Sequence, residues 1–381
     1  MNFEIRTGNC VELMAHMDDE SVDMCVTSPP YWGLRDYGGK GVVWGPQECI
    51  ERGEGDTSHE WEGYTRPSEN TRNNNNSLQL KSAYWEPQEQ AFCKHCDAWF
   101  GQLGLEPTPE QYVKNMVEVF REVKRVLKPE GTLWLNIGDS YCAGSRKSGV
   151  ADSAGGDRGL PTAQRNQASG DLKQKDLVGI PWMLAFALRA DGWYLRQDII
   201  WAKPNCMPES VRDRCTKNHE YVFLLSKSKD YYYDNEAIKE DTVGKPDKNK
   251  SAFKYADDED WAAGDPNRTS KAKGIADARV KNYAKRNKRS VWWVGPKPFP
   301  EAHFAVFPVE LIEPCILAGS PLGGLVLDPF GGAGTTAIAA IKHGRNALLC
   351  EYSSYYVEIA HKRIFAYEKE LGLDKANREW F

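Results

Sequence analysis

No run in this chain is long and apolar enough to cross a bilayer, and its N-terminus is polar. A spanning helix is excluded on that count, and a soluble, cytoplasmic protein is the expectation. Positive charge is not in excess either: the net charge is −5, so any contact with nucleic acid must come from a local patch and not from the chain as a whole. A phosphate-cradling Walker loop is missing, because no Gly-Lys-Ser/Thr follows the glycine-rich stretch near residue 330, and that stretch holds no clean G-x-G-x-x-G. Nothing marks a hydride-acceptor site, which argues against a dinucleotide oxidoreductase. Ten cysteines without a secretory context point to reduced thiols or metal, not disulfides.

What is present is a chain of 381 residues, enough for one large α/β unit with an inserted lobe. The apolar run Val22–Thr27 ends in Ser28-Pro29-Pro30-Tyr31. Two consecutive prolines cannot continue a helix or a sheet ladder. They freeze an extended segment that offers a Ser hydroxyl, rigid carbonyls and an aromatic face to a flat ring bearing an amino group. Near the other end, the buried-strand pattern Leu325–Leu327 runs into Asp328-Pro329-Phe330-Gly331-Gly332-Ala333-Gly334-Thr335-Thr336 and then a helical pattern from Ala337 to His343. Strand, glycine-rich turn and helix open a nucleotide-binding unit, and the acid at Glu351, after the run Asn346–Cys350, stands where such units hold ribose hydroxyls. Thr108–Leu127 has helical periodicity, with Tyr112, Met116, Val119, Phe120, Val123 and Leu127 on one face. Strands are expected at Thr132–Ile137, Asp198–Lys203 and Tyr221–Leu225.

These two motifs together resemble the S-adenosylmethionine-dependent amino methyltransferases of DNA, whose signatures are S/D/N-P-P-Y/F and D-P-F-x-G-x-G-T-T. The catalytic motif comes first and the cofactor motif last, which is the order of the family's β class. The resemblance covers roughly residues 1–40, 110–142, 177–235 and 290–366. It implies an α/β, Rossmann-like methyltransferase sheet in circularly permuted order, with an inserted target-recognition lobe. Residues 1–40 and 97–140 would form the catalytic half, 41–96 an insertion, 141–289 the recognition lobe (strands near 195–235 belonging to it or to the core), and 290–381 the cofactor half. By resemblance, Ser28 and the Pro29 carbonyl accept hydrogen bonds from the target amine, while Pro30 stiffens the segment. Tyr31 stacks on a base flipped from the duplex. Asp328, Pro329, Phe330, Gly331, Gly334, Thr335, Glu351 and Phe307 hold the cofactor. Asn9 stands where many relatives carry an acid near the adenine. The motif's Ser favours cytosine N4; adenine N6 is the alternative, and an RNA methyltransferase a more distant one. Partners implied are double-stranded DNA, a second copy of the chain and a cognate restriction endonuclease, in a prokaryotic or phage setting. Pro314-Cys315 could suggest a thiol nucleophile, but it lies in an apolar helical pattern and reads as core.

Two further patterns stand on their own. The knuckle Cys93-Lys94-His95-Cys96, with Cys49 and His59 upstream, matches a structural zinc site of three thiolates and one imidazole, with His95 as the alternative to His59. The polar stretch 60–92 cannot pack itself, so a metal staple there makes physical sense. From Ser270 to Ser290 eight basic residues (Lys271, Lys273, Arg279, Lys281, Lys285, Arg286, Lys288 and Arg289) meet a single acid, Asp277. With Tyr283, Trp292 and Trp293 nearby, this suits phosphate contacts. Residues 143–175 and 68–77 show no hydrophobic period and read as loops.

Overall fold

The computed structural model describes residues 1–33, 41–46, 59–62, 91–142, 171–241, 285–297 and 306–372. Two compact units result: Met1–Tyr233 with Ser290–Phe381, and Asp234–Arg289. In chain order, β1 (Phe3–Thr7) is followed by α1 (Cys10–Ala15), β2 (Val22–Thr27), and four short strands, β3 (Val42–Trp44), β4 (Trp61–Glu62), β5 (Ala91–Cys93) and β6 (Trp99–Gly101). Then come α2 (Pro109–Val126), β7 (Leu127–Ile137), α3 (Ile180–Ala190), β8 (Tyr194–Ala202) and β9 (His219–Ser226). The second unit contributes β10 (Glu240–Asp241) and β11 (Lys285–Arg286). The chain closes with β12 (Val291–Trp293), α4 (Val309–Gly319), β13 (Leu325–Asp328), α5 (Thr335–Lys342), β14 (Asn346–Glu351) and α6 (Ser354–Glu370).

Local chemistry explains the main boundaries. Thr108 caps α2 by accepting from the Gln111 N–H at 3.2 Å, Pro109 sits in the first turn where no N–H is needed, and Lys124 and Arg125 face the C-terminal dipole. The helix buries the face expected from its periodicity. It passes directly into β7, which begins five residues before the expected Thr132. Val22 faces Leu127 while Met24 faces Thr132, so Pro129-Glu130-Gly131 is absorbed as an irregularity at the strand's start and does not separate two elements. Asn9 caps α1, its side-chain oxygen accepting from the Val11 N–H at 2.9 Å.

Eight strands form one sheet in the order β1-β14-β13-β2-β7-β9-β8-β12. All neighbours run parallel except β9, which is antiparallel to both β7 and β8. Both faces are covered. Cys25, Leu133, Leu135 and Ile137 join the cluster built with α1, α2 and α3, while Met24, Thr132 and Trp134 meet Gly319 of α4 on the other side. Covered faces account for near-continuous apolar strands such as Thr132–Leu135. Strands from the two ends of the chain interleave: β13 lies between β14 and β2. Its onward connection leads to β14 on one side, while β2 leads to β7 on the other, so the carboxyl ends of β13 and β2 flank a switch point of the kind where α/β sheets bind ligands. Between β2 and α2 the chain builds a separate four-stranded antiparallel sheet, β3-β6-β5-β4. Of the stretch 141–289 expected as a recognition lobe, α3, β8 and β9 belong to the first unit, and only Asp234–Arg289 forms the second. No helix among the described residues is long and apolar enough to cross a membrane.

The packing makes a direct test available. Phe120 is wholly buried in the α2 face, and Phe120→Ala should cost about 3–5 kcal/mol, read as a fall in the midpoint of denaturant unfolding.

Candidate active site

The glycine-rich turn is shaped first by its own chain. Gly334 has φ +79° and leads into α5; a Cβ there would lie 3.0 Å from Ala360 Cβ and 3.1 Å from Ile364 Cδ1 of α6. A Cβ on Gly331 would lie 2.8 Å from Leu349 Cβ. Both glycines are therefore required where helix, turn and neighbouring strand touch, a packing need that the sequence pattern does not separate from ligand approach. The Gly331 N–H donates to the Cys350 carbonyl at 2.8 Å, and the Gly332 N–H to Glu351 Oε2 at 2.8 Å. Glu351 Oε1 accepts from the Ser353 N–H at 2.8 Å. Burial, and the nearby Asp328, push the Glu351 carboxyl above its ordinary value.

Asp328 ends β13, almost wholly buried. Its Oδ1 accepts from Thr27 Oγ1 at 2.6 Å and from the Phe330 N–H at 3.0 Å, and its Oδ2 from Thr336 Oγ1 at 2.5 Å. Burial raises its pKa against these three hydrogen bonds. Thr27 immediately precedes Ser28, so one carboxylate ties the glycine-rich turn to the Ser-Pro-Pro-Tyr segment. Pro329 and Thr335 are buried, while Phe330 and Phe307 are half-buried.

Several elements fix the Ser28–Tyr31 segment. The Tyr112 hydroxyl donates to the Pro30 carbonyl at 2.9 Å, and Gly104, at φ +91°, fits so closely that a Cβ would be 3.1 Å from Pro30 Cβ. The Gly33 N–H donates to the Gly104 carbonyl at 2.8 Å, and the Trp32 indole to the Glu106 carbonyl at 2.8 Å. The Tyr31 ring lies against Gly138, where a Cβ would be 2.6 Å from Cε2. Its hydroxyl donates to Glu220 Oε2 at 2.7 Å, lies 3.3 Å from Asn136 Oδ1, and accepts a longer contact from Ser28 Oγ at 3.4 Å. Lys203 pairs with the other oxygen of Glu220. Asn136 and Glu220 join the segment although neither motif marks them. The signal the sequence offers is a polar residue flanking an apolar run, Asn136 after Leu133–Leu135 in β7 and Glu220 before Tyr221–Leu225 in β9.

The remaining expected residues fall in several places. Cys49 lies outside the described residues, as do Lys271, Lys273, Arg279 and Lys281. His59, Cys93 and Cys96 converge, their ligand atoms all within 4.8 Å of one another. His95 is turned to Glu60 instead, with Nε2 3.0 Å from Oε2. Lys285 and Arg286 form β11, and in that unit Glu240 Oε1 accepts from Arg286 Nε at 2.8 Å and Arg289 Nε at 2.6 Å. Lys288 comes just after β11. Cys315 is buried within α4, a core residue as expected.

With this geometry in view, comparison with known proteins is decisive. A family model described as DNA methylase matches residues 22–362. The chain belongs to this family. It is an S-adenosylmethionine-dependent DNA amino methyltransferase, of the class acting on cytosine N4 or adenine N6. The methylase is 38% identical over 361 residues to the type II methyltransferase M.SmaI of Serratia marcescens, covering 95% of this chain and 90% of the relative. It is 37% identical over 357 residues to M.Cfr9I of Citrobacter freundii, covering 94% and 86%. Among solved structures, the cytosine-N4-specific PvuII DNA methyltransferase aligns with a TM-score of 0.51 at 16% identity, over 98% of this chain and 94% of that one. That likeness shows a common α/β methyltransferase fold.

One residue beneath the site has a pH signature. Glu106 is buried, its oxygens accepting from the Gly104 N–H at 2.8 Å and Asn115 Nδ2 at 2.9 Å. Burial pushes its carboxyl up to about 7, against those hydrogen bonds. Between its ordinary value of 4.5 and about 7 the folded methylase holds a proton that the unfolded chain has lost. Stability therefore falls as pH rises through that window, by on the order of 3 kcal/mol. Glu106→Gln should flatten this slope, measured as unfolding free energy at pH values from about 5 to about 8.

Proposed function

We propose that the methylase transfers a methyl group to the N4 amine of a cytosine flipped out of duplex DNA. The observation that carries this reading is the pairing of Thr27 with Asp328, which holds Ser28-Pro29-Pro30-Tyr31 beside the glycine-rich turn. The donor set near that turn suits the cofactor's chemistry. Asp328 and Glu351 end adjacent parallel strands, and Phe330 and Phe307 offer half-exposed apolar rings. Those groups match a cationic amino acid moiety, ribose hydroxyls and a flat purine. The order of the chain supports a circularly permuted sheet, since the cofactor strand β13 comes after the catalytic strand β2 in sequence and lies beside it in space.

Bound S-adenosylmethionine supplies a methyl group activated on a sulfonium sulfur. The task left to the protein is to present the amine, whose lone pair is delocalised into the ring. Ser28 Oγ gives its own hydrogen towards the Tyr31 hydroxyl, which in turn donates to Glu220. The Ser28 oxygen is thereby left as an acceptor, and with the Pro29 carbonyl it can take both amine hydrogens and favour a pyramidal nitrogen. So held, the nitrogen lone pair would meet the sulfonium methyl, the N–C bond forming as the C–S bond breaks to leave S-adenosylhomocysteine, and the proton lost from nitrogen would pass to solvent. Proximity and orientation supply the catalysis, and no covalent enzyme intermediate is needed. The target atom is out of reach in a stacked duplex, so the base is flipped and stacks on Tyr31. The serine, at a position where the family signature also admits Asp or Asn, favours cytosine over adenine. The basic run ending at Arg289 contributes phosphate contacts. Similarity to type II methyltransferases such as M.SmaI and M.Cfr9I supports a protective role beside a restriction endonuclease in a prokaryotic cytoplasm.

Digestion of methylated duplex DNA and mass spectrometry of the nucleosides should find N4-methylcytosine. N6-methyladenine alone would refute the choice of base, and methylation of RNA in preference to duplex DNA would refute the substrate. Ser28→Ala should lower the transfer rate by about 10²-fold with cofactor binding retained in equilibrium dialysis, whereas Asp328→Ala should lose cofactor binding itself.

A further inference from the structure

We propose that His59, Cys93 and Cys96 bind a zinc ion that staples the four-stranded sheet inserted between β2 and α2. Cys93 ends β5, Cys96 sits in the turn to β6, and His59 stands just before β4. Two chain segments more than thirty residues apart thus deliver three soft or borderline ligands to one point. Their ligand atoms all lie within 4.8 Å of one another, and Cys96 Sγ is 3.6 Å from His59 Nδ1. Tetrahedral zinc with Zn–S of about 2.3 Å and Zn–N of about 2.0–2.1 Å requires S···N separations of about 3.6 Å and S···S separations of about 3.8 Å. The Cys96 Sγ–His59 Nδ1 separation matches the S···N value, and the other two pairs lie within 4.8 Å. Neither cysteine is joined in a disulfide among the described residues.

Neighbouring contacts organise the site as a metal centre needs. The Cys93 N–H donates to the Ala98 carbonyl at 2.9 Å and the Lys94 N–H to the Glu60 carbonyl at 2.9 Å, which holds the knuckle against β4. The His59 ring packs on Trp61 with centroids 4.8 Å apart. His95 and Lys94 are both drawn to the Glu60 carboxylate, leaving His59 as the imidazole at the thiols.

A metal here answers a physical shortage. Among the described residues, beyond Trp44 and Trp99, which join the main core, and a buried Ala91, this sheet has a small cluster of Cys93 and Ala98, with Val43, Trp61 and Cys96 beside them. So small a cluster does not hold β4, a strand of two residues, to its neighbour. Metal binding converts directly into folding free energy for such a module. The staple also reaches the catalytic segment. From β6 the chain runs straight to Gly104 and Glu106, which contact Pro30, Gly33 and Trp32.

The test uses the full-length chain, expressed with zinc in the medium and purified without chelators. Mass spectrometry of its metal content should find about one zinc per chain. Cys93→Ser, Cys96→Ser and His59→Ala should each drop this to background, while His95→Ala should keep it. Cobalt(II) added to the zinc-depleted chain should give a thiolate-to-metal charge-transfer band together with tetrahedral d–d absorption. A chain with no bound metal and no such band would overturn the proposal, as would zinc retained after loss of both thiols. Should the variants fail to fold, a mercurial thiol reagent added to the wild-type chain should release zinc in step with the thiols it titrates. Thiol modification without zinc release would also overturn the assignment.

Discussion

The hydrogen bond from Thr27 to Asp328 is the constraint on which the site rests. It is buried, 2.6 Å long, and joins residues 301 positions apart. It exists because β13 enters the sheet beside β2, with Leu327 in register with Cys25, so the two strands end at the same level. Breaking it would leave a buried carboxylate with one acceptor site unmet, and such a group costs more than the bond itself contributes. Thr336 and the Phe330 N–H occupy two more of the acceptor sites of Asp328. One carboxylate thus sets the glycine-rich turn, the start of α5 and the end of β2.

A second network fixes the segment after Thr27. The two prolines remove backbone donors, so the segment cannot be held by a ladder. Side chains from elsewhere supply the anchors: Tyr112 of α2 at the Pro30 carbonyl, and Glu220 of β9 at the Tyr31 hydroxyl. Glu220 is itself paired with Lys203 at the end of β8. The antiparallel strand β9 matters for this reason. Running against its neighbours, it brings its N-terminal residues to the edge where β7 and β8 finish.

Much of this is legible in the amino-acid order. Strands and helices follow from apolar periodicity, and both motifs from residue types that only special backbone can use. What is not legible depends on pairing across the chain. Glu220 and Asn136 gain meaning only when β9 is seen beside β7. Gly331 and Gly334 read as room for a ligand, yet the fold demands them first for contact with Leu349 and Ala360. Pro129-Glu130-Gly131 reads as a break, but a sheet can absorb extra residues at a strand's start when the partner register resumes beyond them. The choice between His59 and His95 hangs on which imidazole Glu60 takes, a question of three dimensions.

The carboxyl groups at the sheet's edge carry a further consequence. Asp328 and Glu351 end neighbouring strands, and burial raises both, the charge of Asp328 adding to the effect on Glu351. Two acids held close in a low dielectric resist ionising together. A cation brought between or beside them relieves the strain on both, so on the function proposed above the two carboxyl groups are held together at a cost that a positively charged cofactor offsets. Its neutral, demethylated product lacks the sulfonium charge and offsets less. On that function, the same two carboxyl groups would favour the charged methyl donor over the spent one, through electrostatics that need no contact with the methyl group itself.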